Sequence, residues 1–163
     1  MTTQVYPLKF NADKTQVFCE LRGDYRVATP EETVRQQYVQ LLHHYYGYSF
    51  AQMAQECKTQ HGRRSPRADI VIWQSAADKQ AKKTPVIVVE CKSDNVTIIE
   101  SDYWQGESYT RAVGCELFVT HNTKQTRFFK LVPGLPGEWV DIEDIPHADD
   151  WGDAKKIAAI KGA

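Results

Sequence analysis

The sequence predicts a mixed α/β (α+β) domain, a central sheet flanked by helices. Three observations predict it. Pro85 to Lys92 reads Pro-Val-Ile-Val-Val-Glu-Cys-Lys, a run of four β-branched residues that suits a strand buried on both faces. Arg67 to Trp73 supplies a second run, Arg-Ala-Asp-Ile-Val-Ile-Trp. Before them, Val34, Tyr38, Leu41, Leu42 and Tyr45 fall on one stripe at helical spacing. Helix, strand pair, helix, strand and strand in that order give a mixed sheet rather than a bundle or a sandwich.

Taken in order, Gln16–Leu21 alternates, Gly23-Asp24 offers a turn and Tyr25–Ala28 returns, which is a hairpin. Thr29 is a good N-cap, Pro30 suits the first helical position, Glu32 completes a capping box and Gly47 ends the helix. A short helical turn around Ser49–Gln52 feeds a strand near Ala54–Thr59. Gln74 to Thr84 is polar and Lys-rich, suited to a surface loop. A helix is expected from about Ile99 to Val113, where Gly114 fits a C-cap. Glu116–Thr120 and Thr126–Val132 read as further strands. Beyond Pro133 the chain is punctuated by Gly134, Pro136, Gly137 and Pro146 and turns acidic. The expected organisation is one domain over 1–132, with the hairpin of 1–28 attached. An acidic C-terminal extension or linker follows over 133–163, ending in a helical piece whose Ile157 and Ile160 have no obvious partner.

At 163 residues and 42% hydrophobic content the chain can bury one respectable core. A formal charge of −1 and a pI of about 6.5 argue against a protein that coats DNA indiscriminately, though not against an enzyme with a local groove. No apolar run approaches the roughly 20 residues of a membrane span, and the N-terminus carries no signal-peptide pattern. Cys19, Cys57, Cys91 and Cys115 include no C-x-x-C pair, which favours reduced core thiols over disulfides or zinc. These features together lead to the expectation of a cytoplasmic protein with no membrane partner.

The chemistry concentrates at the ends of the two β-branched runs. Glu90 and Lys92 stand at i and i+2, so they project from one face. If the runs pair as an antiparallel hairpin, Asp69 lies beside them despite twenty intervening residues. Two carboxylates with an ammonium alongside make a metal site. Lys58, His61, Arg63, Arg64 and Arg67 form a basic cluster leading into Asp69.

Asp69 followed by Glu90-x-Lys92 at a strand end resembles the signature of PD-(D/E)xK nucleases. Pro30-Glu31-Glu32-x-Val34-Arg35-Gln36, before a helix ending in Tyr46-Gly47-Tyr48, resembles the N-terminal nuclease domain of type I restriction enzyme R subunits. So do Arg67-Ala68-Asp69-Ile70-Val71 and Val88-Val89-Glu90-Cys91-Lys92. Gln105-Gly106-Glu107-Ser108-Tyr109 fits the Q-x-x-x-Y motif associated with that family. The resemblance covers roughly Leu21 to Leu131. The sequence departs from it in one respect, since Pro66 does not immediately precede Asp69.

The resemblance implies a restriction-endonuclease-like fold and a Mg²⁺-dependent endonuclease, with Mn²⁺ as a substitute. The implied substrate is double-stranded DNA, and the implied partners are translocase or methyltransferase modules of a restriction-modification system. Asp69 and Glu90 would hold Mg²⁺, with the main-chain carbonyl of Cys91 as a third ligand, and Lys92 would position the attacking water. Gln105 and Tyr109, at i and i+4, share a helix face; the resemblance has them orient DNA or the catalytic lysine. It also brings Glu32 near the metal. Arg63, Arg64, Arg67, Lys79, Lys82 and Lys83 are candidates for phosphate contacts.

Simpler readings stand beside these. Glu32 serves equally as a capping residue, Asp69 as a turn residue at a strand entry, and Glu90 with Lys92 as an exposed cross-strand pair. Gln105 and Tyr109 also suit a plain polar helix face. The alternative function is a catalytically silent nuclease-like fold acting as a DNA-binding or assembly module. Fold and site together do not fix the nucleic acid acted upon.

Overall fold

The structure, a computed structural model, describes residues 5–58, 66–93 and 103–162. β1 (Gln16–Cys19) and β2 (Asp24–Val27) form the expected hairpin, in register from Gln16↔Val27 to Cys19↔Asp24. α1 (Pro30–His44) follows, its N-terminus capped by Thr29, whose hydroxyl accepts the Glu32 N–H at 3.1 Å. The expected capping box is only half formed. Instead of returning to the cap, the Glu32 carboxylate accepts bonds from Arg35 and Gln36 one turn further along. Val34, Tyr38 and Leu42 are buried as the stripe predicts, and Val39 joins them, but Tyr45 turns outward. Gly47, at φ 84°, takes the chain out of the helix in a conformation other residues resist.

Six strands form the main sheet in chain order: β3 (Met53–Lys58), β4 (Arg67–Ile72), β5 (Ile87–Cys91), β6 (Leu117–Asn122), β7 (Gln125–Leu131) and β8 (Trp139–Ile142). Every neighbouring pair is antiparallel except β5 and β6, which run parallel and so need a crossover. That connection contains α3 (Trp104–Ala112). The beginning expected for this helix, at 99–102, lies outside the described residues. Gln74–Thr84, expected to be only a loop, contains the short helix α2 (Ala76–Gln80), begun by Ser75, whose hydroxyl accepts the Asp78 N–H at 3.0 Å.

The sheet divides two hydrophobic clusters. On one face α1 lays Val34, Tyr38 and Leu42 against Ile70, Ile72, Ile87 and Val89. On the other, Tyr109 of α3 packs with Val71, Val88 and Phe118. β5 sits in the middle with all five residues buried, as its two-faced apolar pattern predicts.

The segment beyond Leu131, expected to be a linker, contributes to this core. β8 pairs with β7 from Leu131↔Trp139 to Phe128↔Ile142, and Ile145 is buried among α1-side residues. Tyr46 donates its hydroxyl to Asp144 Oδ1 at 2.6 Å, and Tyr48 donates to the Pro146 carbonyl at 2.6 Å. α4 (Ala154–Ile160) closes the described chain, capped by Asp153. The four cysteines are free thiols. Among the described residues, no helix is long and apolar enough to cross a membrane.

Ile145→Ala should therefore cost about 2–4 kcal/mol of unfolding free energy, the usual penalty for emptying a buried branched side chain. Urea denaturation measures it, and a loss under about 0.5 kcal/mol, the level of an ordinary surface substitution, would show that the segment is not part of the core.

Candidate active site

The β4–β5 pairing decides the geometry. Its register, Ile70↔Val89 to Ile72↔Ile87, brings the start of β4 beside the end of β5, as the hairpin argument requires. Asp69 caps the last peptide of β5 with its side chain, Oδ2 accepting the Cys91 N–H at 2.7 Å. Its other oxygen, Oδ1, accepts from Arg35 Nη2 at 3.0 Å. Glu90 is 6% exposed and sits under α3, close to Gly106. Lys92 Nζ stands 3.6 Å from Glu90 Oε1. The structure thus brings Asp69, Glu90 and Lys92 together.

Their electrostatic situation is unusual. Burial raises the Glu90 carboxyl well above its ordinary range, the adjacent Asp69 carboxylate within hydrogen-bonding reach raises it further, and Lys92 opposes both. Glu90 Oε2 is buried and has no hydrogen-bond donor. Such an oxygen next to a second carboxylate calls for a proton or a cation. Among the described residues, no three His, Cys, Asp or Glu side chains gather where they could share an ion. Two carboxylates with a main-chain oxygen nevertheless suit Mg²⁺, which binds few protein ligands and keeps its waters. The Cys91 thiol is buried in the α1-side core, leaving its carbonyl as the atom of interest.

α1 supplies a layer behind Asp69 that sequence reasoning named only as part of a motif. Arg35, 8% exposed, donates from Nη1 to Glu32 Oε1 at 3.1 Å and to Glu56 Oε1 at 3.0 Å, as well as from Nη2 to Asp69. Burial alone would favour loss of its proton, but Asp69 and Glu32 reverse that and hold it firmly charged. Gln36 Nε2 donates to both Glu32 Oε2, at 3.2 Å, and Gln55 Oε1, at 3.0 Å. Glu32 is therefore joined to Asp69 through one guanidinium. Glu56 has φ of 54° and the β3–β4 ladder lapses there, opposite Asp69, while its carboxylate is also paired with Arg22 at 2.8 Å. A cavity of about 350 Å³ opens beside this network between Arg26, Glu31, Arg35 and Glu56.

The profile of the family described as type I restriction enzyme R protein N terminus matches residues 30–146. The chain belongs to that family. None of the curated proteins compared with it matches. The six-stranded mixed sheet with helices on both faces is the restriction-endonuclease-like arrangement expected of such an R-protein N terminus.

Within this type I R-protein N terminus, the other expected site residues are differently placed. Gln105 Oε1 accepts the Arg67 N–H of β4 at 3.3 Å, and Tyr109 bonds Cys57 of β3. The α3 residue facing Glu90 is Gly106. A Cβ there would lie 2.8 Å from Glu90 Oε2 and 2.8 Å from the Phe118 ring. The signal was present in the sequence, since a glycine inside a helix costs about 1 kcal/mol and so implies a packing reason. Lys79, Lys82 and Lys83 lie at the other end of the hairpin, beyond Ile87, roughly 10 Å or more from Glu90 along β5. Lys79 Nζ donates to the Met53 carbonyl at 2.7 Å, and Lys83 stands 3.8 Å from Asp78. Arg67 is exposed at the start of β4. Arg63 and Arg64 lie outside the described residues.

Two predictions follow from the burial of Glu90. A carboxyl with a raised native pKa holds its proton more tightly folded than unfolded. That stability is present below the unfolded-state value and declines as pH rises from there toward the native value. In EDTA, Glu90→Gln should thus be more stable than wild type at pH 8, the advantage shrinking as pH falls into the ordinary carboxylate range, read by thermal melts. Gly106→Ala gains about 1 kcal/mol of helix propensity but overpacks by about 1–3 kcal/mol, so its melting temperature should fall. A rise would mean that α3 stands further from Glu90.

Proposed function

We propose that the domain is a Mg²⁺-dependent endodeoxyribonuclease of a restriction-modification system, cutting double-stranded DNA at the Asp69, Glu90 and Lys92 site. The observation that carries this reading is the buried, donor-less Glu90 Oε2 beside Asp69, with Lys92 3.6 Å from the same carboxylate. Asp69 and Glu90 would hold the ion, together with the Cys91 carbonyl. Bound there, Mg²⁺ supplies neutralisation of the negative charge that builds on a phosphoryl oxygen. Lys92, partly exposed at the end of β5, orients the attacking water and donates to the developing charge.

Gln105, fixed on the β4 backbone, and the exposed Arg67 line the approach on the α3 side, where they suit contacts to DNA phosphates. Translocase or methyltransferase modules of the same system are the partners this family setting suggests, and the cytoplasm the compartment. One observation favours a second reading, a silent DNA-binding or assembly module. Arg35 already neutralises Asp69 at 3.0 Å, as an ion would.

Incubation with supercoiled plasmid and Mg²⁺ or Mn²⁺, against EDTA controls, tests the choice. Wild type should nick, while Asp69→Asn, Glu90→Gln and Lys92→Met should each lose at least about a hundredfold in rate with unchanged circular dichroism. Since cutting in this family setting can depend on a partner, calorimetric titration with MgCl₂ in the presence of duplex DNA is the second arm. Absence of both nicking and ion binding in wild type would leave the silent module.

A further inference from the structure

Asp69 can present an oxygen to an ion in a fixed direction only if rotation about its Cβ–Cγ bond is stopped. A single hydrogen bond leaves that rotation open. Asp69 has two, at opposite corners of the carboxylate and from different elements: Cys91 N–H of β5 on Oδ2 at 2.7 Å, and Arg35 Nη2 of α1 on Oδ1 at 3.0 Å. The backbone donor is fixed by the sheet. The guanidinium would be free to swing on its long side chain, except that Nη1 is gripped between Glu32 at 3.1 Å and Glu56 at 3.0 Å. Because the guanidinium is planar, holding Nη1 at two points also sets the direction of Nη2.

We infer that Arg35 is a positioning residue that locks the plane of the Asp69 carboxylate, and thereby selects a small, rigidly coordinated divalent cation over a larger one. This rests on the reading of Asp69 and Glu90 as metal ligands. The guanidinium does not bind the ion. Each Asp69 oxygen uses one acceptor site on its tether and keeps another, so both can serve while the carboxylate stays fixed. Mg²⁺ demands near-ideal octahedral geometry at short distance, whereas Ca²⁺ accepts six to eight oxygens in loose arrangements. A locked carboxylate should therefore matter far more to Mg²⁺ than to Ca²⁺. A merely structural arginine, or one acting only through its charge, would affect both ions alike.

The decisive measurement is calorimetric titration of wild type and Arg35→Lys with MgCl₂ and with CaCl₂, each in the presence of duplex DNA. Lysine keeps the charge but, as a compact point donor, cannot hold Glu32, Glu56 and Asp69 in one plane. The Kd for Mg²⁺ should rise at least tenfold in the variant, with the Kd for Ca²⁺ changing less than threefold. Equal changes for both ions, or none, would overturn the inference while leaving the metal site standing. Wild type that binds neither ion overturns both. Should Arg35→Lys fail to fold, Glu56→Ala serves in its place, removing the acceptor that holds Nη1 from β3 but leaving Arg35 on Asp69. It should weaken Mg²⁺ about threefold and leave Ca²⁺ unchanged, and an unchanged Mg²⁺ to Ca²⁺ ratio would again overturn the assignment.

Discussion

One guanidinium stands among three carboxylates, and much of the candidate site is arranged to keep it there. Removing charges from water costs several kcal/mol per ion even after relaxation, so a buried arginine persists only with close partners on its hydrogens. Glu32, Glu56 and Asp69 supply them to its two terminal nitrogens from α1, β3 and β4, which this contact fastens to one another, while Nε is buried without one. Glu56 meets Arg35 from a backbone at φ 54°, a conformation costing about 1–3 kcal/mol for a residue with a side chain. The two arginines on its carboxylate offset that strain. Arg22, near the β1–β2 hairpin, ties the N-terminal strands to the same cluster.

Sheet topology accounts for where the carboxylates are presented. The antiparallel β4–β5 pair brings Asp69 to the end of β5, and the parallel β5–β6 pair obliges the chain to cross over one face with α3. A helix crossing there would ordinarily cover the end of β5 with side chains. Gly106 lets the backbone of α3 approach while Glu90 keeps its place beneath it. Glu90 is consequently shielded from water on the helix side, which raises its affinity for a proton or cation, while Lys92 two residues on reaches partly into solvent.

How legible these features were depended on how local their causes are. Thr29, Pro30 and Gly47 act on their own helix, so the bounds of α1 could be read directly. The β-branched runs announced β4 and β5, and the spacing of Asp69 from Glu90 matched the hairpin that joins them. Arg35 carried no such mark. It entered only within the Pro30–Gln36 motif, and its partners Glu56 and Asp69 lie in strands whose arrangement the helix pattern does not reveal. β8 was hidden because it is only four residues long, Trp-Val-Asp-Ile, and lies in an acidic, Pro- and Gly-rich segment. Its place comes from pairing with β7 and from Ile145 reaching the core. The lysines of the β4–β5 connection read as a basic surface, yet the Lys79 ammonium is taken by a carbonyl, a long-range choice open to any flexible side chain.

The tyrosine contacts at the far end of α1 have a mechanical consequence. Tyr46 and Tyr48 grip Asp144 and Pro146 just past the helix, while Arg35 grips Asp69 about 16 Å back along the axis. An α-helix of this length is stiff, so the two grips lie on one lever. Residues 144–146 and the Asp69 carboxylate are thus held at opposite ends of the same stiff rod.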